Sequence, residues 1–178
     1  MPGGGPGDLY ALAAEFRDAC ALALDETPSG RPDYIAITQG APAFDCYPSL
    51  YVYVGQAVVG DTYPLQPPLQ PMQRLVTTGQ VDLISLVAVV LRCAALPLQQ
   101  GENLLAPSAA EVDAVARECY ADLWAVWNSL KNQFRAGALF PSLSNRREFA
   151  FDPALSVPTS GGAAGWMIPV RVQLGGYS

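Results

Sequence analysis

Two sets of residues in this 178-residue chain are of types that could do chemistry. One is the glycine-rich stretch Ser160-Gly161-Gly162-Ala163-Ala164-Gly165; the other is the four cysteines Cys20, Cys46, Cys93 and Cys119. Glycine runs cradle phosphates when they lead from a strand into a helix, whose first amides and dipole meet the anion. This run leads instead into Trp166 and an alternating pattern, with Pro158-Thr159 before it, so it predicts a turn that opens a strand. The cysteines form no CxxC pair, which removes a zinc ribbon and a thioredoxin-like couple. Cys20 and Cys119 fall on apolar helical stripes and Cys93 in an apolar strand. All four are expected to be buried free thiols acting as small hydrophobes. Disulfides are expected only if the protein matures outside a reducing compartment.

The remaining chemistry is thin. With no histidine, the chain lacks the commonest general base, the Ser-His-Asp and Cys-His systems, and His-based zinc sites. No glycine run is followed by GK[ST], and the aspartates do not have calcium-loop spacing. Glu15, Asp18, Glu111, Asp113 and Glu118 lie on helical patterns, where a solvated face is the expectation. A small enzyme with an inconspicuous carboxylate pair is the competing class. Arg146-Arg147 is the one adjacent basic pair, either a solvated loop or an anion contact. No catalytic residue, cofactor or metal is expected.

Composition frames what must position any site. Hydrophobic residues make up 51% and charged ones 15%, below the usual quarter. A chain so poor in charge leaves apolar surface to be covered, which predicts an obligate oligomer. A net charge of -6 with pI near 4.4 argues against a phosphate-gripping nucleic-acid binder. MPGGGPG has neither a positive n-region nor an apolar run behind it, so no signal peptide is read. The most apolar window, 81–96, contains Asp82 and Arg92 and is too short for a bilayer span of about 20 residues.

The elements follow from periodicity. Residues 1–7 read as a Gly/Pro arm. A first helix should start at Asp8 and carry Leu9, Leu12, Phe16, Cys20 and Leu24 on one face, stopping at Thr27-Pro28-Ser29-Gly30. Strands are predicted at 34–40 and 50–59. Pro64, Pro67, Pro68 and Pro71 make 60–74 an extended, polyproline-like loop with Leu65, Leu69 and Met72 on it. This is either a surface insertion or a protruding arm whose apolar anchors order against a neighbouring subunit. Residues 81–96 read as a long strand apolar on both faces, Val81, Leu83, Val87, Val89 and Leu91 on one, Ile84, Leu86, Ala88 and Val90 on the other. Ser108 and Glu111 form a capping box ahead of a helix ending near Gly137, about 40 Å long. Its stripe is Val112, Val115, Cys119, Leu123, Val126, Leu130 and Phe134, widened by Trp124 and Trp127. Strands at 148–152 and from Trp166 onward close the chain around a long turn, with Pro169 marking an edge or a bulge. The order predicts one α+β domain over 1–178, a single, mostly antiparallel sheet covered by two helices.

Four stretches, AFDCYPSLYVYV, LVAVVLRCA, LWAVWNSL and SGGAAGWMIPVRVQLGGY, resemble small neck proteins of long-tailed actinobacterial phages over residues 34–177. The order of elements is similar to that of the tail terminators. The resemblance implies a ring, typically of six subunits, that caps the tail tube and ends its polymerisation. It implies contacts with its own copies, with the major tail tube protein and with the head-tail connector or stopper, while DNA passes through the lumen without specific binding. The expected place is the virion neck, after assembly in the host cytoplasm and away from any membrane. Another neck component, such as the stopper, or a minor tail protein is the alternative. Leu65, Leu69, Met72, Arg146, Arg147 and Trp166 are the candidate contact residues.

Overall fold

A computed structural model of the chain describes residues 9–60, 81–100, 103–141, 149–157 and 162–176. The fold is α+β, one open, mixed six-stranded sheet with two helices on one face. In chain order the elements are α1 (Leu9–Leu24), β1 (Tyr34–Ile37), β2 (Ser49–Gly60), β3 (Val81–Cys93), β4 (Leu98–Gln100), β5 (Asn103–Leu105), α2 (Ala109–Ala136), β6 (Phe149–Phe151), β7 (Leu155–Val157) and β8 (Ala163–Gly176). The sheet runs β1-β2-β3-β8-β6, with β7 pairing the earlier part of β8, Gly165 to Met167, and β6 the later part, Val170 to Val172. Only β1–β2 is parallel; β4 and β5 form a separate hairpin.

The spine is β3, and its two-faced pattern sorts as its period of two dictates. Ile84, Leu86, Ala88 and Val90 join the main core with Leu50 and Val52 of β2, Ile168, Val170 and Val172 of β8, and the buried faces of α1 and α2. Leu12, Phe16, Cys20 and Leu24 of α1 are all buried there, as their spacing predicts. Val87, Val89 and Leu91 point to the opposite face, where Phe44, Tyr51, Tyr53 and Met167 cover them. Asp8, the expected cap of α1, lies outside the described residues, as do the arm and the loop from residue 61.

α2 begins and ends where its sequence says. The Ser108 side chain accepts the Glu111 amide, the Glu111 carboxylate accepts the Ser108 amide at 2.7 Å, and Gly137 closes the helix at φ 70. Several expectations differ. The long strand stops at Cys93 and does not run to residue 96; beyond it the Ala94 amide makes one further bond to the Gly162 carbonyl at 2.8 Å, next to the Cys93–Ala163 pair. The supposed long turn after β6 contains β7, and the β4–β5 hairpin lies in a stretch with no strand signal. Each of these strands is three residues long, too short to show an alternation.

β8 is not an edge strand. It lies between β3 and the pair β6 and β7, and its proline is accommodated by position. The Pro169 carbonyl accepts the Asp152 amide at 3.1 Å, so its nitrogen also faces that side, where β6 ends. The missing donor therefore subtracts nothing from the β3–β8 ladder, in which Pro169 stands opposite Val87.

The cysteine expectation holds for two residues and fails for two. Cys20 and Cys119 are free and buried. Cys46 and Cys93 form a disulfide with Cα atoms 4.6 Å apart, tying the corner before β2 to the end of β3. A separation of 47 residues along the chain left that pairing without a local signature.

Candidate functional site

α2 overhangs the sheet. Between Ala109 and Glu118 none of its residues is buried; burial starts at Cys119 and continues through Asp122, Val126 and Leu130. The apolar stripe thus splits. Leu123, Trp127 and Phe134 pack on the core, with Trp127 stacked on Phe151 at 4.3 Å and Phe134 on Phe149 at 5.0 Å. Val112, expected in the core, is 49% exposed. Trp124, expected to widen the buried stripe, is 69% exposed, because its position turns away from the sheet. Val112, Ala116, Tyr120 and Trp124 stand four residues apart and form one row along the helix, with Tyr120 61% exposed.

Between this overhang and the start of β8 lies a groove of about 250 Å³, lined by Val112, Val115, Ala116, Cys119, Tyr120 and Trp166 on its helix and strand walls. Its shape depends on how closely β8 approaches β3. A Cβ on Gly165 would stand 1.9 Å from the Val90 carbonyl oxygen, so glycine alone fits there. Gly162, just ahead of the strand, stands at φ 79 and bridges to Asp45. The glycine segment leads into a strand, as predicted, and presents no helix N-terminus.

Trp166 is the one predicted contact residue within the described part of the chain. It is partly buried against the main core, and its ring centroid lies 5.6 Å from that of Tyr120. Its indole N–H is buried and meets no acceptor among the described residues. Such a group costs free energy until an acceptor reaches it. Leu65, Leu69, Met72, Arg146 and Arg147 lie outside the described residues.

One buried ion pair braces the groove, and it was not legible. Arg92, at the end of β3, makes a bidentate ion pair with Asp122 of α2 at 2.7 and 3.1 Å, and also donates to the Gly30 carbonyl at 2.7 Å. Both side chains are buried, so the pair fixes α2 on the sheet one turn after the overhang. The sequence offered only an arginine interrupting an apolar run. Burial, and then the Asp122 carboxylate, push the Cys119 thiol up to about 11, so it behaves as an apolar wall of the groove.

Among the described residues no group of three or more His, Cys, Asp or Glu side chains could hold a metal ion, and no helix is long and apolar enough to cross a membrane. Compared with known proteins, the chain matches no family model and no curated relative. Among the described residues the site comprises an apolar row, an aromatic-walled groove and a buried indole N–H without an acceptor.

Proposed function

We propose that this chain is a structural subunit of a phage neck ring, a tail terminator that caps the tail tube, ends its growth and joins it to the head connector. The observation that carries the reading is the apolar surface on the overhanging half of α2. Val112, Tyr120 and Trp124 stand exposed in one row, with Leu105 and Leu155 also in water. Apolar area of this kind is expected to be covered by partners. The sparse charge of the chain and the order of elements, helix, sheet, helix and closing strands, support the same reading. In this account the protein acts by assembly geometry in the virion neck; it folds in the host cytoplasm with Cys46 and Cys93 as thiols, and their disulfide closes once the particle has left that reducing compartment. DNA passes through the ring without being gripped, in keeping with the acidic total charge.

The test is to add the purified chain to polymerising tail-tube protein of its own phage and view the products by electron microscopy. The expected outcome is shorter tubes with one ring at an end. Tubes of unchanged length without a ring contradict the proposal. A ring found only on the head-side connector assigns the chain to the stopper position instead.

A further inference from the structure

We infer that the groove beside Trp166 receives the proline-rich segment 61–74 of a second copy of this chain, bound as a polyproline II strand. The inference deepens the ring reading by naming its contact, and rests on it for the second copy.

Chemistry selects the occupant. Polyproline segments dock into shallow aromatic grooves, because they are already extended and their carbonyls stand free of internal hydrogen bonds. The groove supplies Tyr120 and Trp166 as aromatic walls and Val112, Val115 and Ala116 as an apolar floor. The segment reads Asp61-Thr-Tyr-Pro-Leu-Gln-Pro-Pro-Leu-Gln-Pro-Met-Gln-Arg74, with the PxxP spacing twice, Pro64 to Pro67 and Pro68 to Pro71. As a polyproline helix, Pro64 to Pro71 would run about 22–25 Å. The row from Val112 to Trp124 runs about 18 Å along α2. Leu65, Leu69 and Met72 supply apolar side chains for that row, and glutamines fill the intervening places.

Reach selects the second copy. The segment leaves β2 at Gly60 and returns at Val81, two residues paired at one end of the sheet. The groove lies at the other end, where Gly165 and Trp166 pair with Leu91 and Val90. Val81 to Val90 spans about 30 Å of strand. Even fully extended, Pro64 and Pro67 stand at most about 14 and 25 Å from Gly60, so the first PxxP cannot reach its own groove and the stretch from Pro64 to Pro71 cannot lie there whole. Donor and acceptor at opposite ends make the contact head-to-tail, the kind that closes into a ring by rotation.

The test uses three full-length variants. One has Pro64, Pro67, Pro68 and Pro71 replaced by serine; the second carries Tyr120→Ala with Trp124→Ala, both exposed positions that leave the core intact; the third is Trp166→Phe, which shrinks the aromatic wall from an indole to a phenyl ring. A labelled peptide of residues 61–74 should bind the proline-free variant saturably. Binding should weaken at least tenfold when Trp166→Phe or the Tyr120/Trp124 pair is added, and at least tenfold when the peptide's prolines are alanine. The proline-free and Tyr120/Trp124 variants should each fail to assemble alone, yet form a one-to-one heterodimer when mixed. Rings that form without the prolines, or a peptide that binds equally well with the groove mutated, overturn the inference. Wild-type rings beside a proline-free variant that ignores the peptide overturn the inference alone and leave the ring standing. A wild-type chain that stays monomeric at every concentration overturns the ring, and with it the second-copy occupant.

Discussion

Removing the Asp122 carboxylate leaves the Arg92 guanidinium buried with only the Gly30 carbonyl to meet it. An uncompensated buried charge typically costs about 3–5 kcal/mol, more than the pair contributes over an apolar replacement. Asp122→Ala should therefore lose stability of that order in urea unfolding, whereas Arg92→Met with Asp122→Leu should lose much less; equal losses would contradict the account. This pair was not readable beforehand, since an arginine in an apolar run signals a partner without saying where it lies. The cysteines teach the same lesson. Thiol titration of the unfolded chain should find two free thiols before reduction and four after it, because Cys46 and Cys93 are joined. In the folded protein at pH 8, Cys119 should alkylate about two orders of magnitude more slowly than an open thiol, given its raised ionisation.

At the scale of elements, α2 is the part most legible in the sequence, because its ends are set by local chemistry. Ser108→Ala removes the cap side chain and should cost about 1 kcal/mol by denaturant unfolding. Glu111 is held below the ordinary carboxylate range by the Ser108 hydroxyl and then its amide. The contribution of that carboxylate is therefore present above the ordinary range and fades as pH falls through its depressed value. Glu111→Gln should flatten this acid-side dependence of stability; an unchanged slope would contradict the capping geometry. The division of β3 into two faces was equally legible, since period two needs no knowledge of the partner. The overhang was not. Helical spacing showed that Val112 and Trp124 lie near the apolar stripe, while how far the sheet extends beneath α2 is decided by β8 and β7. Trp166 was singled out as a contact residue, but the groove beside it is made by Tyr120 and Cys119, which only the tertiary fold brings there. Gly165→Ala tests that wall directly. Its Cβ would collide with the Val90 carbonyl, so β8 must part from β3 and the groove must open.

For the whole molecule, an open sheet with helices on one face leaves the apolar residues of the α2 overhang outside the main core. The edges at β1 and at β6 and β7, the row along the overhang and the groove beside Trp166 give the domain several surfaces to share with copies of itself. A head-to-tail pairing of such surfaces propagates until rotation closes it. Sedimentation equilibrium of the purified full-length chain tests this most directly. The account predicts one closed species of ~113 kDa, six copies of the 18.9 kDa chain, with no open series above it. A particle that remains at 18.9 kDa over the whole concentration range would contradict it.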